Sequence, residues 1–167
     1  MLGIIVAAMN GCGKGELIEE FGRKNKIADL QHGLANNQEY VDEVMRLVEK
    51  YDIVFIDADM ATLMLFIDNG IFFDLFYPSH NRKNEFIEDA VKHRVSFAEI
   101  SKLDKNFSDL IDAYDEIDSE FCMKHKLSNH GSYLIGEKIL TSYLTDAQEA
   151  RKNEAHESEK VLETQEG

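Results

Sequence analysis

The chain has 167 residues, 44% hydrophobic and 30% charged, with a single proline and ten glycines; that is the make-up of one folded domain, and it excludes disordered and fibrous classes. A formal charge of -14 opposes an extended nucleic-acid surface or an anionic membrane. The two cysteines, Cys12 and Cys122, exclude a disulfide framework, and a reduced, cytoplasmic setting is expected.

The first apolar run, "LGIIVAAM" (2–9), is short and lacks the basic start and small-residue cleavage site of a signal peptide. No other run reaches the roughly 20 residues of a membrane-spanning helix, so no membrane partner is expected. Read as a buried strand, it is the first of five, followed by "IADLQHG" (27–33), "DIVFIDA" (52–58), "IFFDLFYPS" (71–79) and "EFCMKHKLS" (120–128). Helical patterns fill the gaps at 15–24, 37–50, 59–69, 82–94, 97–117 and 131–145. Asn69-Gly70 ends the third helix and Pro78 closes the fourth strand.

Phe72, Phe73, Phe76 and Tyr77 are expected in the sheet core, and Phe97, Phe107, Leu110 and Tyr114 on a helix face packed against it. From Asp146 onward apolar content falls away; residues 146–167 are expected to form a frayed helix or disordered acidic tail outside a domain at 1–145. Short apolar runs alternating with longer amphipathic stretches predict a three-layer α/β/α fold, with a doubly wound, mostly parallel five-stranded sheet.

The first strand runs into "AMNGCGKG" (8–15), set against the phosphate-loop pattern G-x-x-x-x-G-K-[ST]. Glycines at 11, 13 and 15 let backbone N–H groups turn inward on a polyanion, the next helix adds its positive end, and Lys14 supplies a point charge. Asn10, Gly11, Cys12, Gly13, Lys14, Gly15 and Glu16 are therefore the expected phosphate-binding set. Two positions depart from the pattern. Ala8 replaces the leading glycine, and Glu16 stands where the G-K-G-T form of the loop has a metal-binding threonine. A carboxylate there either ligates Mg²⁺ or turns away from the phosphates.

With "GCGKG" (11–15) in place, the chain resembles the adenylate kinase-like nucleoside monophosphate kinases among the P-loop NTPases, including short divergent versions carried by bacteriophages. "DIVFIDAD" (52–59) looks like that family's third strand, ending in an aspartate beside the active site, here Asp57. "FFDLFYPSHNRKNEFIEDAVKHR" (72–94) is similar to its next strand and lid helix, with Arg94 within a residue of the second lid arginine. The family's glycine- and arginine-bearing segment after the third strand is replaced by "ADMATLM", and Asp89 stands where the first lid arginine is expected. The resemblance implies ATP and Mg²⁺ as cofactors and a small nucleotide-like acceptor.

Lys14, Asp57, Arg94 and Arg82 are the candidate catalytic set, because phosphoryl transfer relies on positioned positive charge and a metal. Asp57 and Glu16 are the candidate metal ligands, and Asp59 is expected to cap the helix beginning near Met60. His32 and Gly33 follow the second strand at the ligand-binding edge and are candidates for the acceptor pocket. Cys12 is expected to fill the loop rather than to react, and the histidines have no metal-site spacing. The expected function is an ATP-dependent nucleotide kinase-like phosphotransferase. The alternative is a degenerate P-loop protein serving as a nucleotide sensor or protein-interaction module.

Overall fold

The strands run as five parallel neighbours because helical crossovers return the chain to the amino edge of the sheet between one strand and the next. A computed structural model describes residues 2–30 and 37–165. Strands β1 (Ile4–Ala8), β2 (Ile27–Asp29), β3 (Ile53–Ile56), β4 (Phe73–Pro78) and β5 (Cys122–Leu127) form one sheet in the order β2-β3-β1-β4-β5, every pair parallel. Helices α1 (Lys14–Phe21), α2 (Gln38–Leu47), α3 (Met60–Asp68), α4 (Lys83–Lys92), α5 (Phe97–Glu116) and α6 (Lys138–Gln165) complete a three-layer α/β/α architecture, with short 3₁₀ turns at His80–Arg82 and Leu134–Gly136.

Burial explains the strand sequences. Central β1 and β3 are covered on both faces, so they read as unbroken apolar runs, IIVAA and IVFI. Edge strand β5 is buried only at its ends, Cys122 and Leu127, and spends its middle on Met123, Lys124 and Lys126. The core joins Val6, Ile53, Phe55, Phe66, Phe76, Phe107 and Tyr114.

Two aromatic expectations are corrected. Phe72 is 67% exposed, one residue before β4 begins, and its ring rests on Phe121 instead. Phe97 opens α5 and is 85% exposed, because the face that meets the core is Phe107, Ile111 and Tyr114.

The helix predicted at 131–145 begins only at Lys138 and continues to Gln165. Leu140, Leu144 and Ala147 are buried. Beyond them Arg151 donates to Asp52 at 2.7 and 2.8 Å and to the Lys24 carbonyl at 3.0 Å, and Asn25, itself buried, donates to Asp52 and to the Leu144 carbonyl. Residues 147–151 are thus anchored to the amino edge of the sheet, whereas Val161 and Leu162 stand exposed. Burial alone would raise the Asp52 carboxyl, but hydrogen bonds from Arg151, Asn25 and the Lys26 amide outweigh it and hold it below the usual range.

Leu144→Ala is expected to lower unfolding free energy by about 3 kcal/mol, and Val161→Ala by less than about 0.5 kcal/mol. Urea denaturation of the two variants checks the difference.

Candidate functional site

Strands β1 and β4 are neighbours whose onward connections leave in opposite directions, β1 toward β2 and β4 toward β5. A parallel sheet opens a crevice at the carboxyl ends of such a pair. The chain leaves β1 at this crevice: the Met9 amide donates to the Phe76 carbonyl of β4 at 3.0 Å, and the Cys12 amide turns back to Met9 at 3.2 Å. Gly11 and Gly13 both adopt left-handed backbone, with φ of 96° and 90°. A Cβ on Gly11 would lie 2.9 Å from the Phe86 ring, and one on Gly13 would lie 3.1 Å from Tyr133 Cβ. Conformation and space therefore both demand glycine at these positions.

The first amide of α1 to bond along the helix is Leu17, to the Gly13 carbonyl at 3.2 Å. The amides of Lys14, Gly15 and Glu16 precede it and have no intrahelical acceptor, so they and the positive end of the helix dipole favour an anion at the loop. A cavity of about 1040 Å³ opens there, bounded by residues 8–16, α4, α5 and Tyr133. Phe86, Val95 and Leu103 give it apolar wall; Glu16, Glu19, Asp89 and Glu99 supply carboxylates against the ammonium groups of Lys14 and Lys102.

One network holds this wall in place. Arg82 is 2% exposed; it donates twice to Glu85 at 2.7 Å, to the Leu127 carbonyl at 3.1 Å and to the Ser132 carbonyl at 2.6 Å, with its guanidinium against the Phe86 and Tyr133 rings. Glu85 also accepts from the Gly131 amide, and the Tyr133 hydroxyl lies within hydrogen-bond distance of both Glu85 and Asp89, with one proton to donate to either. The Leu134 amide donates to the Cys12 carbonyl at 2.9 Å, so the segment after β5 is fastened directly onto the loop.

The expectation that Arg82 touches phosphate is corrected by this geometry, since four of its N–H bonds are spent inside the protein. Arg94 is exposed past α4 in left-handed backbone, φ 56°. The Arg94 and Val95 amides return to the carbonyls of Val91 and Ala90, a Schellman closure that normally takes glycine. His93 and Val95 on either side line the cavity, but Arg94 is not among its lining residues.

Lys14 is in the cavity wall, and its ammonium is paired with Asp29 at the end of β2, 3.0 and 3.1 Å from the two carboxylate oxygens. Burial pushes the Cys12 thiol up to about 12 against a smaller pull from Arg82, which makes it a loop filler. Glu16 is folded over the loop, its Oε2 3.3 Å from the Cβ position of Gly13.

Asp57 follows β3 at the same sheet edge, its amide donating to the Tyr40 hydroxyl at 3.2 Å, but it does not line the cavity. Asp59 caps α3 by accepting from the Thr62 amide and hydroxyl. Burial pushes the Tyr40 hydroxyl up to about 12; the Asp57 amide opposes this, and the charges of Asp57, Asp59 and Asp29 add to it. His32 and Gly33 lie outside the described residues.

Among the described residues, His80, Asp112 and Asp115 bring ligand atoms within 4.8 Å of one another, all exposed. Asp115 there already accepts from Lys126 and the Tyr77 hydroxyl.

No known protein family and no curated protein matches this chain.

Sequence reasoning missed Asp29, Phe86, Lys102 and Tyr133. Only Asp29 left a trace, as the polar end of a strand pattern; the others reach the loop from helices and a turn far along the chain.

Arg82→Ala strands Glu85 and is expected to cost about 3 kcal/mol of stability, read by denaturant unfolding. Its hydrogen bond from Arg82 is the largest influence holding the Glu85 carboxyl down at about 2. Because that lies below the usual 4.5, the stability Glu85 contributes is complete above the ordinary carboxylate range and is lost as pH falls toward 2. Glu85→Gln should flatten this part of the acid-unfolding profile. Arg94→Gly should instead raise stability by about 1 kcal/mol, since it relieves the left-handed backbone; a thermal melt checks the sign.

Proposed function

We propose that this chain binds a nucleoside triphosphate with Mg²⁺ at the loop around Lys14 and transfers the γ-phosphoryl group to a small acceptor. The observation that carries this reading is the pair of left-handed glycines that turns the chain from the central strand into α1, with residues 14–16, whose amides precede the first intrahelical bond, lining the large cavity at the sheet's switch point. The resemblance of "GCGKG" to the adenylate kinase-like loop supports the same reading.

In this reading the loop amides and Lys14 hold the outer phosphates, and Phe86, Val95 and Leu103 give the nucleoside an apolar wall. Glu16 and Asp57 are hard oxygen donors suited to Mg²⁺, which keeps several waters and takes its other ligands from phosphate. The bound metal would spread the negative charge that develops on the transferred group. Lys14 must exchange Asp29 for phosphate, and Glu16 must swing from its place over Gly13 toward the metal. Two buried, unpaired thiols accord with a cytoplasmic setting.

A binding protein without turnover is the second reading. It is favoured by the cavity's own charge, four carboxylates against two ammonium groups, which weakens the hold on a transition state richer in negative charge.

Calorimetry with Mg-ATP, followed by label transfer from γ-labelled ATP, separates the two. Lys14→Ala removes one charge-assisted contact and is expected to weaken Mg-ATP binding by about 10- to 100-fold. Unaltered affinity in that variant, or no binding by the wild type, removes the reading. Binding with no transfer to any acceptor leaves the non-catalytic one.

A further inference from the structure

We propose that the acceptor presents a hydroxyl rather than a phosphate, and that the Asp29 carboxylate receives its proton. This rests on the loop being a triphosphate cradle, and it departs from the nucleoside monophosphate acceptor that the sequence resemblance implies.

Asp29 is the last residue of β2, at the carboxyl edge of the sheet, with both oxygens within 3.1 Å of the Lys14 ammonium. The Asp29 side chain is 38% exposed and that of Lys14 21%, so a small molecule can reach both. In this cradle Lys14 approaches the γ-phosphate, and a group touching Lys14 stands beside the atom that is transferred.

A phosphate monoester carries about two negative charges and is held by arginine forks or several lysines. The chain has five arginines. Arg46 is paired with Glu43, Arg82 is buried on Glu85, and Arg151 is bound to Asp52. Arg23 follows α1 at the amino edge of the sheet, and Arg94 stands beyond α4, beside the donor cavity. None belongs to the β2–β3 edge, where the charges of Asp29, Asp57 and Asp59 converge on Tyr40. A phosphorylated acceptor meets no arginine there, while a neutral polyol or nucleoside meets the half-exposed Asp29 carboxylate.

A phosphate oxygen can attack without losing a proton, but a hydroxyl must lose one. The acceptor oxygen forms a bond to the γ-phosphorus, the bond from that phosphorus to the β,γ-bridging oxygen breaks, and the nucleoside diphosphate keeps the electron pair. The hydroxyl proton passes to Asp29 and then to water. When Lys14 turns to the triphosphate, Asp29 loses its cation and is free to accept, so donor binding prepares the base.

The test uses the full chain, wild type and Asp29→Asn, with Mg-ATP calorimetry and γ-labelled ATP against two sets of acceptors: nucleosides and small polyols, and nucleoside monophosphates. The wild type is expected to label a hydroxyl acceptor and no monophosphate. Asp29→Asn is expected to bind Mg-ATP at least as tightly, because Lys14 is released, yet to transfer about 10²- to 10⁴-fold more slowly. Asp29→Glu keeps the carboxylate and should recover part of the rate.

Label on a monophosphate acceptor overturns the proposal, as does a wild-type rate in Asp29→Asn or an Asp29→Glu rate no better than Asp29→Asn. Mg-ATP binding without transfer to either set overturns it as well, leaving the loop reading intact. No Mg-ATP binding by the wild type removes the loop reading, and this proposal falls with it.

Discussion

The corner at Gly11 and Gly13 constrains everything around it. A central strand buried on both faces cannot offer side chains to a ligand, so the chain meets the crevice with backbone, and that needs left-handed residues without a Cβ. The space the missing Cβ atoms leave is taken by Phe86 from α4 and Tyr133 from the segment after β5. A single conformational demand at Gly11 and Gly13 therefore joins the sheet, the α4–α5 hairpin and the β5–α6 connection at one point. A side chain at either glycine would disturb the cavity wall as well as the loop.

The two ion pairs nearest the cavity differ in kind. Arg82 is buried and Glu85 nearly so, and their remaining partners include backbone carbonyls, the Gly131 amide, Tyr133 and His130, so the pair is satisfied and loss of either member leaves an uncompensated charge. Lys14 and Asp29 are partly exposed, and water screens much of their attraction, so exchange of partners costs little. The first pair is suited to holding a wall and the second to meeting a ligand. The same contrast separates the two ends of α6, where Leu144 and Arg151 are tied to the sheet edge and the last turns face water.

The amino-acid sequence was sufficient for the five strands, the α/β alternation, the glycine-rich turn into α1 and the Asp59 cap, because each is written locally, in burial on both faces, in helical periodicity or in a capping side chain. Strand order was not legible, since crossovers decide it. Nor was the fate of Arg82, whose carbonyl partners lie about 50 positions away, or the pairing of Lys14 with Asp29, whose ends meet only because β2 and α1 both open on one edge. Phe72 and Phe97 misled for the same reason: composition marks a residue as apolar, but the direction of its side chain depends on where the element begins. Periodicity reports which side of a segment is dry; which distant groups meet there is settled by the packing of layers, and the site's chemistry is made of those meetings.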